Sequence, residues 1–226
     1  MLKVIDVEKK FGELRALSGV SFKVNKDECL GIIGPNGAGK TTLFNIISGF
    51  TKPDRGEVLF RGEKISGKKP SYLVKKGLVR TFQLIKVFRQ MSVEENVLTA
   101  GGGIEELKAV GLHNKRYEKA QNLSHGELRR LSIALALSTK PKMLMLDEPF
   151  SGLSSIESKE LERVILSLKG CGIPLVIIEH KLKELFNVVD RVIVLNYGKL
   201  IFEGLPEEVI KDKTVIEAYL GGNGVE

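Results

Sequence analysis

A glycine-rich stretch of the chain reads Gly34-Pro35-Asn36-Gly37-Ala38-Gly39-Lys40-Thr41. It follows an apolar run at residues 30–33 and leads into a helix-like stretch that continues from Thr42. A strand, a glycine-rich turn and a helix in this order are the context of a phosphate-binding loop. The spacing therefore predicts a binding site for a nucleoside triphosphate, and the two flanking elements disfavour an ordinary turn before a lysine.

The residue types in this loop fit the chemistry of phosphate binding. Glycines allow successive backbone N–H groups to turn toward the phosphates. The helix that follows directs the positive end of its dipole at the same anion. Lys40 can reach the terminal phosphates, and the Thr41 hydroxyl can ligate Mg²⁺.

The composition is that of an ordinary globular domain. The chain has 226 residues, of which 42% are hydrophobic and 28% charged, which suits one α/β domain. No apolar stretch reaches the length of a membrane span, and the first residues lack a signal-peptide pattern, so we expect a cytosolic protein. Cys29 and Cys171 lie far apart and are expected to be buried, reduced thiols.

The net charge of +7 favours an anionic partner such as nucleic acid, lipid headgroups or nucleotide. The lysines are scattered along the chain, and a solvated basic face explains them equally well. Charge alone therefore does not select a partner.

Hydrophobic patterning predicts strands at both ends of the chain and helices in the middle. We expect strands at 4–7, 16–24, 57–60, 143–146, 175–178, 191–195 and 199–202. The expected helices are 92–100, 124–139, 156–168, 182–189 and a last one that opens at Pro206. The three glycines at 101–103 separate the first two of these, and the alternation after residue 140 is typical of a parallel sheet.

Two acids follow the apolar strand at 143–146. An acid at the carboxyl end of a parallel strand beside a phosphate loop holds Mg²⁺, and Asp147 fits that role. Glu148 can orient or deprotonate the attacking water. The alternative is that both acids only cap the next helix.

Four further features are ambiguous when each is taken alone. His180 follows the strand at 175–178 and is either structural or a γ-phosphate contact. Gln83 has the character of a surface glutamine and Phe11 that of a core aromatic. Ser124, with Glu127 three residues later, predicts a helix capping box.

Together, these motifs resemble an ATP-binding-cassette (ABC) ATPase over residues 3–221. In that resemblance, residues 34–41 are the Walker A loop, 143–148 the Walker B strand and 151–154 the D-loop. Gln83 is the Q-loop glutamine, residues 124–127 form the signature loop and His180 is the switch histidine. The implied fold is an α/β, RecA-like P-loop NTPase core with an N-terminal antiparallel β subdomain and a small helical subdomain. It implies a single domain over 1–226, with the core at 1–83 and 140–226 and the helical subdomain at 84–139.

The resemblance also implies a role for each site residue. ATP is contacted by Phe11, Gly34, Pro35, Asn36, Gly37, Ala38, Gly39, Lys40, Thr41, Thr42 and Gln83, and by Ser124, Gly126 and Glu127 of a second subunit. Mg²⁺ is held by Thr41, Gln83 and Asp147. Hydrolysis is carried out by Glu148 and His180.

The chain departs from the family pattern in its signature loop and elsewhere. His125 and Glu127 stand where a glycine and a glutamine are usual, Ser154 replaces the D-loop aspartate, and Leu135 replaces an arginine. Glu127 would place a negative charge near the γ-phosphate and weaken dimer closure unless a cation balances it.

Several segments are similar to ATP-binding subunits of branched-chain amino acid importers: 77–83, 87–88, 91–93, 95–97, 195–198 and 217–221. A urea or amide importer subunit looks nearly the same. The implied partners are transmembrane permeases, a second cassette subunit of the same or a different kind, and indirectly a solute-binding protein. The implied location is the inner face of the cell membrane. Residues 85–89 are the candidate docking stretch, with core packing of Val87 and Phe88 as the alternative.

Two other classes remain open from the residues themselves: an exporter subunit, and a soluble cassette ATPase that acts on nucleic acid or the ribosome. Only residues 42–123 separate the phosphate loop from the signature loop, which leaves no room for the long coiled coil of DNA-structural relatives. The sequence shows one cassette, whereas translation-linked relatives carry two. Nucleic acid is therefore not expected as a partner. The transported solute is not readable from this chain.

Overall fold

The computed structural model describes residues 1–220. They fall into two compact units, one formed by Met1–Lys76 with the chain from Val189 onward and the other by Gly77–Val188. The family resemblance predicted from the sequence extends to Gly221, which lies outside the described residues. The predicted boundaries of the helical subdomain, at 84 and 139, stay a prediction.

The strands lie as follows: β1 Leu2–Phe11, β2 Leu14–Val24, β3 Cys29–Ile33, β4 Arg55–Phe60, β5 Glu63–Lys64, β6 Leu78–Arg80, β7 Met143–Asp147, β8 Leu175–Ile178, β9 Arg191–Asn196 and β10 Lys199–Gly204. The helices are α1 Lys40–Ile47, α2 Pro70–Lys76, α3 Val93–Thr99, α4 Ile104–Ala109, α5 His125–Ser138, α6 Ser155–Gly170, α7 Leu182–Phe186, α8 Pro206–Val209 and α9 Lys213–Leu220. Short 3₁₀ turns cover His113–Lys115 and Ala120–Asn122.

The first unit contains an antiparallel sheet in the order β2-β1-β4-β5. Along β1, Leu2 and Val4 are buried while Lys3 and Ile5 are exposed, the alternation expected of a strand with one covered face. A register irregularity between Val4 and Val7 interrupts its pairing with β2. The strand is longer than the predicted 4–7 because its partners continue on both sides of this irregularity.

The first unit also holds the strand that precedes the phosphate loop. All five residues of β3 are buried, and β3 pairs in parallel with β9. β9 and β10 form the predicted hairpin, with Tyr197 and Gly198 both at positive φ in the turn. Positive φ at both central residues is the geometry that matches the twist of a two-residue hairpin.

The second unit contains three parallel strands, in which β7 pairs with both β6 and β8. β7 and β8 are buried along their whole length, as the apolar runs predicted. Parallel strands end at the same edge of a sheet, so this pairing brings the residues after β6, β7 and β8 to one edge.

The predicted glycine break between the two middle helices proves to be a site of close packing. A Cβ on Gly102 would lie 2.2 Å from Oγ of Ser138 in α5. Glycine is needed there because no other residue fits against the helix. The pattern did not predict α4, which is only six residues long.

Three other findings bear on the sequence predictions. α7 ends at Phe186 and not at 189. Cys29 is buried, but Cys171 is exposed, so the expectation of a buried thiol was wrong for Cys171. Within residues 1–220, the helices all fall short of the length and apolar character that a membrane span requires.

Candidate active site

The phosphate-binding loop connects β3 to α1, which begins at Lys40 as predicted. Gly34 and Gly39 have φ angles of +149° and +101°, which residues with a side chain rarely adopt. A Cβ on Gly34 would lie 2.1 Å from the Leu195 carbonyl oxygen, and one on Gly39 would lie 2.5 Å from that of Ala16. Backbone conformation and packing therefore both require glycine at these positions.

The start of α1 carries no internal anion. Its N-cap is Gly39, which offers no side-chain acceptor, and its first turn has no acidic residue. The first amide N–H groups of a helix lack partners within the helix and attract an anion. This helix end is therefore suited to a phosphate.

Lys40 is buried, and its side chain folds back over the loop. Its Nζ donates to the carbonyl oxygens of Gly34, at 2.7 Å, and Pro35, at 2.9 Å. Thr41 is exposed and Thr42 half-buried on the following turn. Asn36 and Gly37 lie exposed at the tip of the loop, and Ala38 is buried beneath it.

Phe11 lies at the end of β1 and is 51% exposed, so it is not a core aromatic. The Lys9 ammonium lies 5.4 Å from the centroid of its ring. An exposed ring with an adjacent cation can stack on a nucleobase near its phosphates.

Tyr219 in α9 touches the same loop, and no motif signalled this contact. Its phenol bonds to the backbone of Gly34, which lowers its pKa, but burial has the larger effect and raises it overall. The two residues lie at opposite ends of the chain, so only the folded structure reveals the contact.

In the second unit, Asp147 ends β7 and is paired with a buried arginine. Nη2 of Arg80, at the end of β6, lies 2.7 Å from Oδ2 of Asp147. The two side chains are only 6% and 12% exposed. The carboxylate predicted to hold Mg²⁺ thus has its charge balanced within the unit. Sequence reasoning missed Arg80 because only the β6–β7 pairing brings it to this edge.

Glu148 lies at the centre of a cluster of three predicted site residues. Its Oε2 accepts a hydrogen bond from Nε2 of Gln83 at 2.8 Å, and its Oε1 lies 3.2 Å from Nε2 of His180. Its φ is +46°, an uncommon conformation for a residue with a side chain, of the kind that often marks functional sites. The structure thus brings Gln83, Glu148 and His180 together.

Glu179, which lies between β8 and His180, fixes the backbone on both sides of this cluster. Its carboxylate accepts from the backbone N–H of Phe150 at 2.7 Å and of His180 at 2.6 Å. Burial raises the pKa of Glu179 despite these bonds. The segment after Glu148 and the segment carrying His180 therefore share one buried acceptor.

Ser124 and Glu127 form the predicted capping box at the start of α5. Oγ of Ser124 accepts from the Glu127 N–H at 3.2 Å, and Oε2 of Glu127 accepts from the Ser124 N–H at 2.9 Å. Oε1 of Glu127 lies 2.9 Å from Nζ of Lys115. Burial favours the neutral form of Glu127, but the bonds to Lys115 and Ser124 outweigh it and lower the pKa. Lys115 therefore places a positive charge beside the Glu127 carboxylate.

Arg129, two residues further along α5, holds the Q-loop. Its Nη1 donates to the carbonyl oxygens of Phe82, at 3.2 Å, and Gln83, at 2.9 Å. Burial lowers the pKa of this arginine, against the attraction of nearby acids that include Glu179 and Asp147. The helix α5, which we call the signature helix because it begins in the signature loop, is therefore bonded directly to the backbone of the Q-loop at residues 82 and 83.

Glu157 in α6 also contacts the signature loop, and no motif pointed to it. Its Oε1 accepts from Oγ of Ser124 at 2.8 Å and from the Gly126 N–H at 2.9 Å. Its Oε2 accepts from the N–H of Ser154 at 3.0 Å and from its hydroxyl at 2.9 Å. The bonds to Ser154, Gly126 and Ser124 lower its pKa to about 2.

In the described part of the chain, no three His, Cys, Asp or Glu side chains are grouped as a metal site would require. The predicted Mg²⁺ contacts are a hydroxyl, an amide and one carboxylate, all of which offer oxygen. Oxygen is the donor type that Mg²⁺ prefers, and the ion usually takes further oxygen ligands from phosphates and water.

Comparison with known proteins identifies the family of the chain. The family model described as "ABC transporter" matches residues 17–151, and one described as "Branched-chain amino acid ATP-binding cassette transporter" matches 199–225. The chain is 36% identical to the high-affinity branched-chain amino acid transport ATP-binding protein LivG of Escherichia coli K12, over 98% of both chains.

Two solved structures are similar along most of their length. An ATP-binding cassette of an ABC transporter in its ADP conformation is 35% identical, with a TM-score of 0.91 over 98% of both chains. A dimeric cassette in a post-hydrolysis state, bound to ADP and Pi, is 26% identical, with a TM-score of 0.77 over 91% of this chain and 99% of that one. The fold is thus that of a P-loop ATPase cassette. The chain belongs to the ABC transporter family, as its motifs predicted.

The lowered pKa of Glu157 leads us to a prediction about the stability of the fold at acidic pH. A folded pKa of about 2, below the ordinary 4.5, means that ionised Glu157 stabilises the folded state above pH 4.5. This contribution is lost as the pH falls toward 2. We expect Glu157→Gln to lower the free energy of unfolding at pH 7, with a difference from wild type that narrows below about pH 4.5. Chemical unfolding across this range measures it, and a difference that stays constant with pH would contradict it.

Proposed function

We propose that this chain is the ATP-binding and ATP-hydrolysing subunit of an ABC importer for branched-chain amino acids. The observation that carries the proposal is the Gln83–Glu148–His180 cluster, which gives a carboxylate two polar neighbours beside the end of β7. The full-length similarity to LivG and the match at 199–225 support the class of solute.

ATP is held, in this proposal, through its phosphates by the loop of the first unit. The amide groups at the start of α1 face the phosphates, and Lys40 exchanges its carbonyl contacts for phosphate oxygens. Phe11 stacks on the adenine. Thr41, Gln83 and Asp147 would hold Mg²⁺ through oxygen atoms, and the ion would neutralise charge that develops on the phosphates.

Hydrolysis depends on Glu148, which we assign as the base that orients and deprotonates water. Its carboxylate is already oriented by Gln83 and His180. His180 is also proposed to contact the γ-phosphate. The buried Glu179 accepts from the backbone N–H of His180, which helps to hold this residue beside Glu148.

The working unit is proposed to be a head-to-tail pair of cassettes. Each ATP bound to one subunit is capped by Ser124 and Gly126 of the other, at the N-terminus of α5. The structure of a dimeric cassette bound to ADP and Pi supports such a pair. ATP binding then closes the dimer and hydrolysis opens it. The second subunit is either a copy of this chain or a related one.

The proposed membrane contact is the stretch 85–89, within the proposed helical subdomain 84–139. Phe88 is 60% exposed, so it does not pack in the core, while Val87 is half-buried. Buried Asn96 makes two hydrogen bonds to the Phe88 backbone. Its Oδ1 accepts from the Phe88 N–H at 2.8 Å, and its Nδ2 donates to the Phe88 carbonyl oxygen at 2.9 Å. An exposed ring on a fixed backbone suits an apolar permease loop.

Arg129 offers a physical route from the nucleotide to that contact, because it bonds the Q-loop backbone to the signature helix. We propose that the protein binds permeases at the inner face of the membrane and depends indirectly on a solute-binding protein.

Lys40→Ala tests nucleotide binding. Loss of the ammonium removes the charge that faces the terminal phosphates, so ATP affinity should fall by about 100-fold or more. Equilibrium binding of a fluorescent ATP analogue measures it. Lys52→Ala, at an exposed position of the same unit, serves as the control and should bind normally. Tight ATP binding by Lys40→Ala would remove Lys40 from its assigned role.

Glu148→Gln tests the proposed base. Glutamine keeps the size of the side chain but cannot accept a proton, so turnover should fall by about 100-fold or more while ATP still binds. The variant should accumulate as an ATP-bound dimer in size-exclusion chromatography with light scattering. Glu207→Gln, at an exposed position, is the control and should hydrolyse ATP normally. Substantial turnover by Glu148→Gln would exclude Glu148 as the main base.

Phe88→Ala tests docking to the permease. Asn96 bonds only the backbone of Phe88, so the loop should keep its conformation when the ring is removed. We expect about tenfold weaker binding to the permeases and a loss of transport-coupled ATPase activity, with basal activity kept. The control is Phe50→Ala, an exposed phenylalanine in the other unit. Unchanged binding and coupling in a stable Phe88→Ala protein would refute the docking site.

A further inference from the structure

The carboxylate of Glu157 occupies the place where the signature loop would bind an anion. It accepts the Ser124 hydroxyl at 2.8 Å and the Gly126 N–H at 2.9 Å through one oxygen. These are the two groups assigned above to the γ-phosphate of the opposite subunit's ATP. A donor hydrogen that points at a carboxylate cannot point at a phosphate at the same time.

The approach of Glu157 to the loop is close and depends on glycine. A Cβ on Gly126 would lie 2.8 Å from both Cβ and Cγ of Glu157 and 2.9 Å from its Cδ. The Glu157 side chain therefore lies directly against the Gly126 backbone. Any phosphate that reaches this N–H must first move the carboxylate away.

Electrostatics make the carboxylate a persistent occupant. Its pKa of about 2 keeps Glu157 ionised at neutral pH, so it repels an incoming phosphate as well as blocking its donors. Protonation near neutral pH therefore does not release it.

Glu157 has a second set of partners that it can keep when it leaves the signature loop. Its other oxygen bonds to the N–H and hydroxyl of Ser154, at the start of its own helix. This pair forms an ordinary capping box that α6 keeps without the signature loop. Displacement therefore costs the bonds to Ser124 and Gly126 and leaves the helix cap in place.

We propose that Glu157 is a positioning residue that occupies the anion site of the signature loop until ATP carried by the opposite subunit displaces it. Dimer closure is then an exchange of one anion for another at Ser124 and Gly126. Glu157 raises the ATP concentration needed for closure and keeps the signature loop ordered in the open state. This inference rests on the proposed function, since it requires a head-to-tail pair.

The test uses the full chain in the Glu148→Gln background, in which hydrolysis does not empty the dimer. Dimer fraction is measured against ATP concentration by size-exclusion chromatography with light scattering. Adding Glu157→Gln removes the charge with little change in shape. Adding Glu157→Asp keeps a charge that stabilises the start of α6 but shortens its reach to the signature loop.

Both additions should lower the ATP concentration at half-maximal dimer by about threefold to tenfold. Binding of ATP to the monomer through Lys40 should not change. Glu160→Gln is the matched control, because Glu160 joins the same two helices through Arg130, at 2.9 Å, without touching the loop. It should leave the ATP dependence of dimerisation unchanged.

The outcomes separate this inference from the function on which it rests. An unchanged or higher ATP requirement in both Glu157 variants would overturn it and leave Glu157 as a helix cap only. If Glu157→Gln fails to fold, Glu157→Asp decides the question alone. If Glu148→Gln by itself forms no ATP-dependent dimer, two copies of this chain do not form the proposed pair, and the inference for this chain falls with that pair, while ATP binding and hydrolysis are tested separately.

Discussion

Helix N-termini dominate the chemistry of this protein because their first amide N–H groups have no partner inside the helix. Three helices satisfy them locally with the same four-residue pattern, a serine followed by a glutamate three residues later. α1 lacks this pattern, since Gly39 provides no side-chain cap and no acidic residue lies in its first turn. The helix after the phosphate loop is thus left for an external anion.

The charged groups at the candidate site also have partners within the protein. Lys40 bonds to carbonyl oxygens of its own loop, Asp147 is paired with Arg80, and Glu157 fills the start of the signature helix. Each group has an internal partner in place of the ligand proposed for it. In the function we propose, binding of ATP would exchange these contacts for others, so that Lys40 and Asp147 would keep a partner.

Local pattern was sufficient wherever the physical cause is local. The phosphate loop, the Ser124–Glu127 cap and the hairpin at Tyr197 were predictable, because each depends on a few adjacent residues. The acids after the apolar run at 143–146 and the histidine after 175–178 could be assigned to one edge because parallel strands end together. Short elements such as α4 were missed, since six residues carry too little periodicity. Arg80, Arg129, Glu179 and Tyr219 act through contacts between distant segments, which no local pattern encodes.

The sequence by itself determined the fold class, the family and the types of residue in the site, because glycine conformation, helix caps and strand patterning follow from neighbouring residues. Only the tertiary structure decided which partners those residues have. Glu95, Glu127 and Glu157 occupy the same position in the same pattern. Yet Glu95 serves its own helix, Glu127 also pairs with Lys115, and Glu157 bonds to a second helix. The physical reason is that a carboxylate bonds to whichever donors packing brings within about 3 Å, and packing is a property of the whole fold.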